Sequence, residues 1–142
     1  MRVFLPGTFD ALARLRDRAE LTVPDGYAVT DALRRQVGED ADAEHLEYAA
    51  FQLATEASLA LLVADPAEPR RRVVISADVR AEPAGGDGRV RLAGPVPWAA
   101  VAAVHVDGSR AEPEVARAVA GAGPVEYELE WYDVSELDQL LA

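Results

Sequence analysis

Apolar residues recur at helical spacing through residues 42–65, the longest patterned stretch of the chain. They follow one another at steps of three or four residues, the period of an amphipathic helix that packs one face on a core. The stripe consists of Leu46, Ala50, Leu53, Ala57 and Leu61. At ~1.5 Å per residue, the predicted helix of about 22 residues is roughly 33 Å long. It ends before Pro66, because proline disfavours the helical conformation in the residue that precedes it.

Alternation of apolar and polar residues predicts strands on either side of this helix. Residues 2–6 form a short apolar run, which is typical of a strand inside a sheet. Residues 73–79 alternate and are flanked by arginines, which predicts a half-buried strand with an arginine-bearing outer face. The glycine-rich turn at 84–88 leads into a second alternating run at 89–92, and we expect the two runs to form a β-hairpin.

The strictest alternation lies at residues 125–132 and predicts a strand with an acidic face. Its apolar face consists of Val125, Tyr127, Leu129 and Trp131, and its other face carries Glu126, Glu128, Glu130 and Tyr132. The arginines of the hairpin are of opposite charge, namely Arg72, Arg80, Arg89 and Arg91. If the two surfaces are neighbours, they pair across strands; if they are not, one of them is an edge for a partner.

These elements predict an α/β (or α+β) fold in a single domain, residues 1–142. We expect a mixed sheet of five or six strands that contains one β-hairpin, packed by the long helix and by shorter helices in two or three layers. A chain of 142 residues is long enough to bury a core without a disulfide or a metal. It contains no cysteine, which excludes thiolate zinc sites, iron–sulfur clusters and cysteine nucleophiles.

Charge and composition indicate which partners, which cellular location and which kind of genome to expect. The net charge of −11 argues against nucleic acid as a partner, because phosphate binding depends on cationic side chains. We also expect no membrane span and no signal peptide, and predict a cytoplasmic protein. All 14 basic residues are arginine, and lysine and asparagine are absent, which indicates a GC-rich genome.

Candidate chemistry is sparse, and we assign no catalytic residue, no cofactor and no metal. His45 falls on the polar face of the long helix. His105 and Asp107 lie two apart on a predicted strand and share a face, but two ligands do not make a metal site. Trp131, Tyr132 and Asp133 form an aromatic and acidic corner at the end of the last strand. These two groups are the candidate ligand or interaction residues.

Short segments spread over the chain resemble an uncharacterised family of short acidic actinobacterial proteins, a domain of unknown function. They are MRVFLP at residues 1–6, AVT at 28–30, EYA at 47–49, VVISADV at 73–79, VPW at 96–98, HVD at 105–107 and LEWYDV at 129–134. The resemblance implies no activity, and no functional residues of the family can be assigned to positions of this chain.

Three hypotheses for the function follow. The first is a non-enzymatic protein-interaction or regulatory domain, which binds a protein partner through a strand edge or the Trp131–Asp133 corner. The alternative is a small-molecule binder or an enzyme with a site near His105 and Asp107. The third is an acidic nucleic-acid mimic that binds a basic protein. A homodimer through an exposed strand edge is compatible with each of them.

Overall fold

The computed structural model describes the whole chain, residues 1–142, and its centre is a seven-stranded sheet. The chain forms nine strands, seven of which belong to this sheet. They are β1 (Arg2–Gly7), β2 (Glu20–Leu21), β3 (Asp25–Tyr27), β4 (Val73–Asp78), β5 (Ala81–Pro83), β6 (Arg89–Leu92), β7 (Val96–Pro97), β8 (Val101–Val106) and β9 (Glu130–Tyr132). The sheet order is β5-β6-β3-β1-β4-β8-β9, and every neighbouring pair is antiparallel. β2 and β7 pair separately as a small second sheet.

Helices cover both faces of the large sheet. They are α1 (Phe9–Arg18), α2 (Asp31–Val37), α3 (Ala43–Ala64), α4 (Glu112–Val119) and α5 (Leu137–Leu141). Alternate residues of the central strands face opposite layers. Val3, Val73 and Ile75 pack with α1 and α5, whereas Phe4 and Val74 pack with α2 and α3. The predicted α/β fold is therefore confirmed, in three layers. The sheet has seven antiparallel strands, where the sequence suggested five or six in a mixed arrangement.

The long helix α3 begins after the N-cap Asp42, whose carboxylate accepts a hydrogen bond from the His45 N–H at 2.8 Å. Its buried face has a stricter spacing than the predicted stripe. The buried positions at steps of four are Leu46, Ala50, Ala54, Ser58 and Leu62, while Leu61 is exposed. Small residues at three of these five positions let the helix lie close to the sheet. The helix is long and apolar enough to cross a membrane, a property that it shares with core helices of soluble proteins.

The polar contacts of α3 also fix its position on the sheet. Ser58 is fully buried, and its hydroxyl donates to the Gly7 carbonyl and accepts from the Val73 N–H, both at 2.9 Å. Gly7 and Val73 are paired residues of β1 and β4. One side chain therefore joins the helix to two central strands.

β4 differs from the predicted half-buried strand. It lies between β1 and β8, and residues 72–77 are all buried. Because helices cover both sides of the sheet, neither face of β4 is open to solvent, and Arg72 does not belong to an exposed arginine surface. The glycine-rich turn does close a hairpin, but it joins β6 to the short β5 and not to β4.

The acidic strand is much shorter than its alternation predicts, because only Glu130–Tyr132 pair with β8. β8 ends at Val106, where the chain turns towards α4, so residues 125–129 have no strand to pair with. The predicted pairing of arginine and glutamate strands is also absent. β6 and β9 lie near opposite edges of the sheet, with four strands between them.

Candidate functional site

A cleft of about 480 Å³ opens on the α3 side of the sheet. One wall is the N-terminal half of α3, and the opposite wall is the segment of residues 125–129 that leaves the sheet. Phe4, Arg72 and His105 line the cleft from the sheet. Its volume lies within the range of about 300–1,000 Å³ that is usual for ligand pockets.

His105 occupies an aromatic and weakly polar environment. Its Nε2 lies 2.8 Å from the hydroxyl of the buried Ser76, and the Phe51 ring meets the imidazole edge-to-face with centroids 4.9 Å apart. Burial, with a smaller contribution from the positive charge of Arg2, lowers the pKa of His105 to about 4. The imidazole is therefore neutral at neutral pH.

Arg72 and Asp107 form a buried ion pair behind His105. Arg72 donates from Nε to Oδ2 at 2.8 Å and from Nη2 to Oδ1 at 2.9 Å, and its backbone N–H also donates to Oδ2 at 2.8 Å. Asp107 is 0% exposed and Arg72 only 7%. The two backbones are joined as well, because the Asp107 N–H donates to the Arg72 carbonyl. The pair is thus held at both the side chains and the main chain.

The Arg72 side chain also contacts the main chain of the wall formed by residues 125–129. Its Nη2 donates to the Tyr127 carbonyl at 2.8 Å. One residue earlier in the segment, the Glu126 N–H donates to the Glu114 carboxylate of α4 at 2.9 Å. These two contacts position residues 125–129 opposite α3, although the segment has no strand partner.

The cleft is strongly acidic. Its lining contains Glu44 and Glu47 from α3, with Glu126 and Glu128 from the opposite wall. Arg72 is its only arginine, and the charge of Arg72 is already balanced by Asp107. Since His105 is neutral, the four glutamates leave the cleft with an excess of negative charge.

The sequence model of a family of unknown function, DUF6912, matches residues 1–141. The chain belongs to this family. The match confirms the resemblance to a domain of unknown function, and it adds no activity. No curated protein and no solved structure matches the chain.

In this DUF6912 member, the candidate residues are divided between the cleft and other sites. His105 lines the cleft, and Asp107 lies behind it as the partner of Arg72. Trp131 is paired with His105 across β8 and β9, so both side chains share one face of the sheet, and Trp131 is 62% exposed. Tyr132 faces the other layer and packs against the α1 side of the core.

Asp133 has a structural contact of its own. Its carboxylate accepts hydrogen bonds from the backbone N–H and the hydroxyl of Ser135, which lower the pKa of Asp133. The Glu136 side chain accepts from the Asp133 N–H, so Asp133 and Glu136 form a capping box at the start of the 3₁₀ turn Val134–Glu136, which leads into α5.

Sequence reasoning missed the main lining residues of the cleft, namely Tyr48, Phe51, Arg72 and Tyr127. One signal was available for Tyr48, a tyrosine on the polar face of a helix beside Glu44 and Glu47. Arg72 gave no such signal, since an arginine that precedes a strand is usually solvated. No three histidine or carboxylate side chains come together as metal ligands.

Proposed function

We propose that this protein is a non-enzymatic binding module whose cleft receives a cationic side chain of a partner protein. The observation that carries the proposal is an acidic cleft with aromatic walls, in which the only arginine is already neutralised by a buried carboxylate. We place the protein in the cytoplasm of an actinobacterium with a GC-rich genome. That part rests on the resemblance, the arginine-only basic residues and the lack of cysteine.

Charge favours a cation over any other ligand. Glu44 and Glu47 approach from one wall, and Glu126 and Glu128 approach from the other, so a ligand between them meets carboxylates on two sides. A guanidinium or ammonium group is attracted to such a cleft, and its long alkyl stem can lie against apolar surface. An anionic ligand would be repelled by the same four groups.

Aromatic rings supply a second preference for a cation. Tyr48 and Tyr127 line the cleft and are both exposed, and the Phe51 ring, which also lines it, packs edge-to-face on His105. A cation over the face of such a ring gains about 0.5–2 kcal/mol. Exposed tyrosine and tryptophan are also enriched at protein interfaces, and Trp131 extends this aromatic surface along β9. A protein partner can cover both the cleft and Trp131.

The chemistry at His105 favours binding over catalysis. A general base works best when its pKa is near the working pH, and the pKa of His105 is about 4. Its hydrogen-bond partner Ser76 is only 2% exposed, so the hydroxyl is out of reach of a substrate. A small-molecule binder that uses the same cleft is the alternative, and it is favoured by the cleft volume of about 480 Å³.

The test is an NMR titration of the ¹⁵N-labelled protein with butylguanidinium chloride, compared with its neutral isostere butylurea. We expect saturable shifts at the amides of Tyr48, Phe51 and Tyr127 with the cation, and none with butylurea at the same concentrations. The Glu47→Gln/Glu126→Gln double variant should weaken binding several-fold, whereas the control Glu82→Gln on β5 should not. Equal binding of both ligands, or shifts scattered over the surface, would contradict the proposal.

A further inference from the structure

The Arg72 guanidinium has one nitrogen without a protein partner. Nε donates to Asp107, and Nη2 donates to both Asp107 and the Tyr127 carbonyl. Nη1 makes no hydrogen bond within the protein. The side chain therefore holds two unused N–H donors in a residue that is 93% buried, since its exposure is 7%.

The unused nitrogen must face an opening. No buried side-chain nitrogen or oxygen in the protein lacks a hydrogen-bond partner, so Nη1 is accessible to solvent. Arg72 lines the cleft, and its bonds to Asp107 and to the Tyr127 carbonyl use Nε and Nη2, which leaves Nη1 without a protein acceptor. We infer that Nη1 points into the cleft as a donor.

This donor is held rigidly. Two side-chain bonds to Asp107 and one bond to the Tyr127 carbonyl fix the guanidinium plane. In addition, the Arg72 backbone N–H donates to the Asp107 carboxylate, and the Asp107 backbone N–H donates to the Arg72 carbonyl. A ligand that accepts from Nη1 does not have to order a flexible arginine first. Such preorganisation raises affinity, because the entropy cost of fixing the side chain has already been met in folding.

The acceptor on the ligand should be neutral. The charge of Arg72 is balanced by Asp107, and four glutamates line the same cleft, so a carboxylate placed at Nη1 meets net repulsion. A peptide carbonyl accepts the same hydrogen bond and brings no negative charge. In a basic residue within a peptide, a carbonyl lies a few bonds from the cation-bearing side chain.

We propose that the ligand is an arginine or lysine residue inside an extended segment of the partner, recognised at two points. Its side-chain cation lies among the glutamates and tyrosines, and a main-chain carbonyl accepts a hydrogen bond from Arg72 Nη1. This inference rests on the proposed cation site. It adds to the proposed function the kind of ligand that the site prefers, namely a basic residue inside a peptide over a free cation or a basic residue at a chain terminus.

The test compares three ligands by calorimetry or NMR: butylguanidinium, N-acetylarginine N-methylamide and N-acetylarginine with its free carboxylate. A hydrogen bond to a charged donor predicts that the methylamide binds about tenfold tighter than butylguanidinium. The carboxylate form should bind no tighter than butylguanidinium. The guanidinium NMR signals of Arg72 should shift with the methylamide and stay in place with butylguanidinium.

The outcomes separate the two proposals. If butylguanidinium binds and the methylamide binds equally, the cation site stands and the carbonyl contact is wrong. If the carboxylate form binds tightest, the ligand is a chain terminus and not an internal residue. If none of the three binds, the proposed function itself fails.

Two variants add a check from the protein side. Arg72→Lys should lose the tenfold preference for the methylamide, and the matched control Arg91→Lys on β6 should keep it. A preference that survives in a folded Arg72→Lys protein would overturn the inference. If that variant does not fold, the guanidinium NMR signals of Arg72 in the wild-type protein still test the inference, because an absence of shifts with the methylamide would overturn it.

Discussion

Replacing Asp107 with asparagine would leave the Arg72 guanidinium buried beside a neutral side chain. The aspartate carboxylate accepts three hydrogen bonds, from the backbone N–H, Nε and Nη2 of Arg72, and it is 0% exposed. Asparagine keeps one acceptor oxygen and turns an NH₂ group towards a donor. Breaking a buried pair by removing one partner costs about 3–5 kcal/mol. We expect Asp107→Asn to lose that much of a total stability of about 5–15 kcal/mol.

The assay is urea denaturation followed by circular dichroism on the wild type and four variants. Arg72→Met should be destabilised to a similar degree, because it leaves the carboxylate unpaired. The Arg72→Met/Asp107→Asn double variant should cost clearly less than the two single losses added together, since no isolated charge remains. Arg91→Met is the control, and its exposed position predicts a change within about 0.5 kcal/mol. Single-variant losses as small as the control's, or strictly additive losses, would refute the buried pair.

Two further predictions concern pH and the contact between α3 and the sheet. The pKa of His105 is about 4 in the folded protein against 6.5 for the free side chain, so the unfolded state takes up its proton first as the pH falls. The stability that depends on a neutral His105 is therefore full above pH 6.5 and is lost towards pH 4, by about 2 kcal/mol after allowance for solvent screening of a half-buried ring. Subtracting the denaturation free energies of His105→Gln from those of the wild type at pH 7.5 and 4.5 measures it, and a difference of opposite sign would disprove the assignment. Ser58→Ala should cost about 1–3 kcal/mol, because it leaves the Val73 N–H and the Gly7 carbonyl buried without their partner. Thermal denaturation checks the loss, with the exposed Ser109→Ala as control; equal effects of the two changes would contradict the contact.

Local patterns predicted the elements whose interactions are mostly local. The long helix needs only its own periodicity, its N-cap at Asp42 and the proline at residue 66, and the structure places it at Ala43–Ala64. The glycine-rich turn before β6 likewise produces a hairpin. Which leucines of the helix are buried was predicted less well, because the partner face of the sheet decides that choice, as the exposed Leu61 shows.

Tertiary structure decided the features that depend on contacts between residues far apart in the chain. Residues 125–129 alternate like a strand, yet they remain unpaired because β8 ends at Val106. The cleft exists for the same reason, since that segment stands away from the sheet opposite α3. Arg72 has the sequence context of a solvated arginine, and only the approach of Asp107, 35 residues later, turns it into a buried ion pair.

The sequence by itself therefore determined the long helix, the hairpin at the glycine-rich turn, the α/β class, the net negative charge and the family. The strand order, the burial of Arg72 and the meeting of His105, Tyr48 and Tyr127 in one cleft were decided by folding. The physical reason is the distance along the chain over which each kind of interaction acts. Helix periodicity and caps act over a few residues, whereas strand pairing and burial of a charge depend on groups far apart in the chain, whose positions no local pattern encodes.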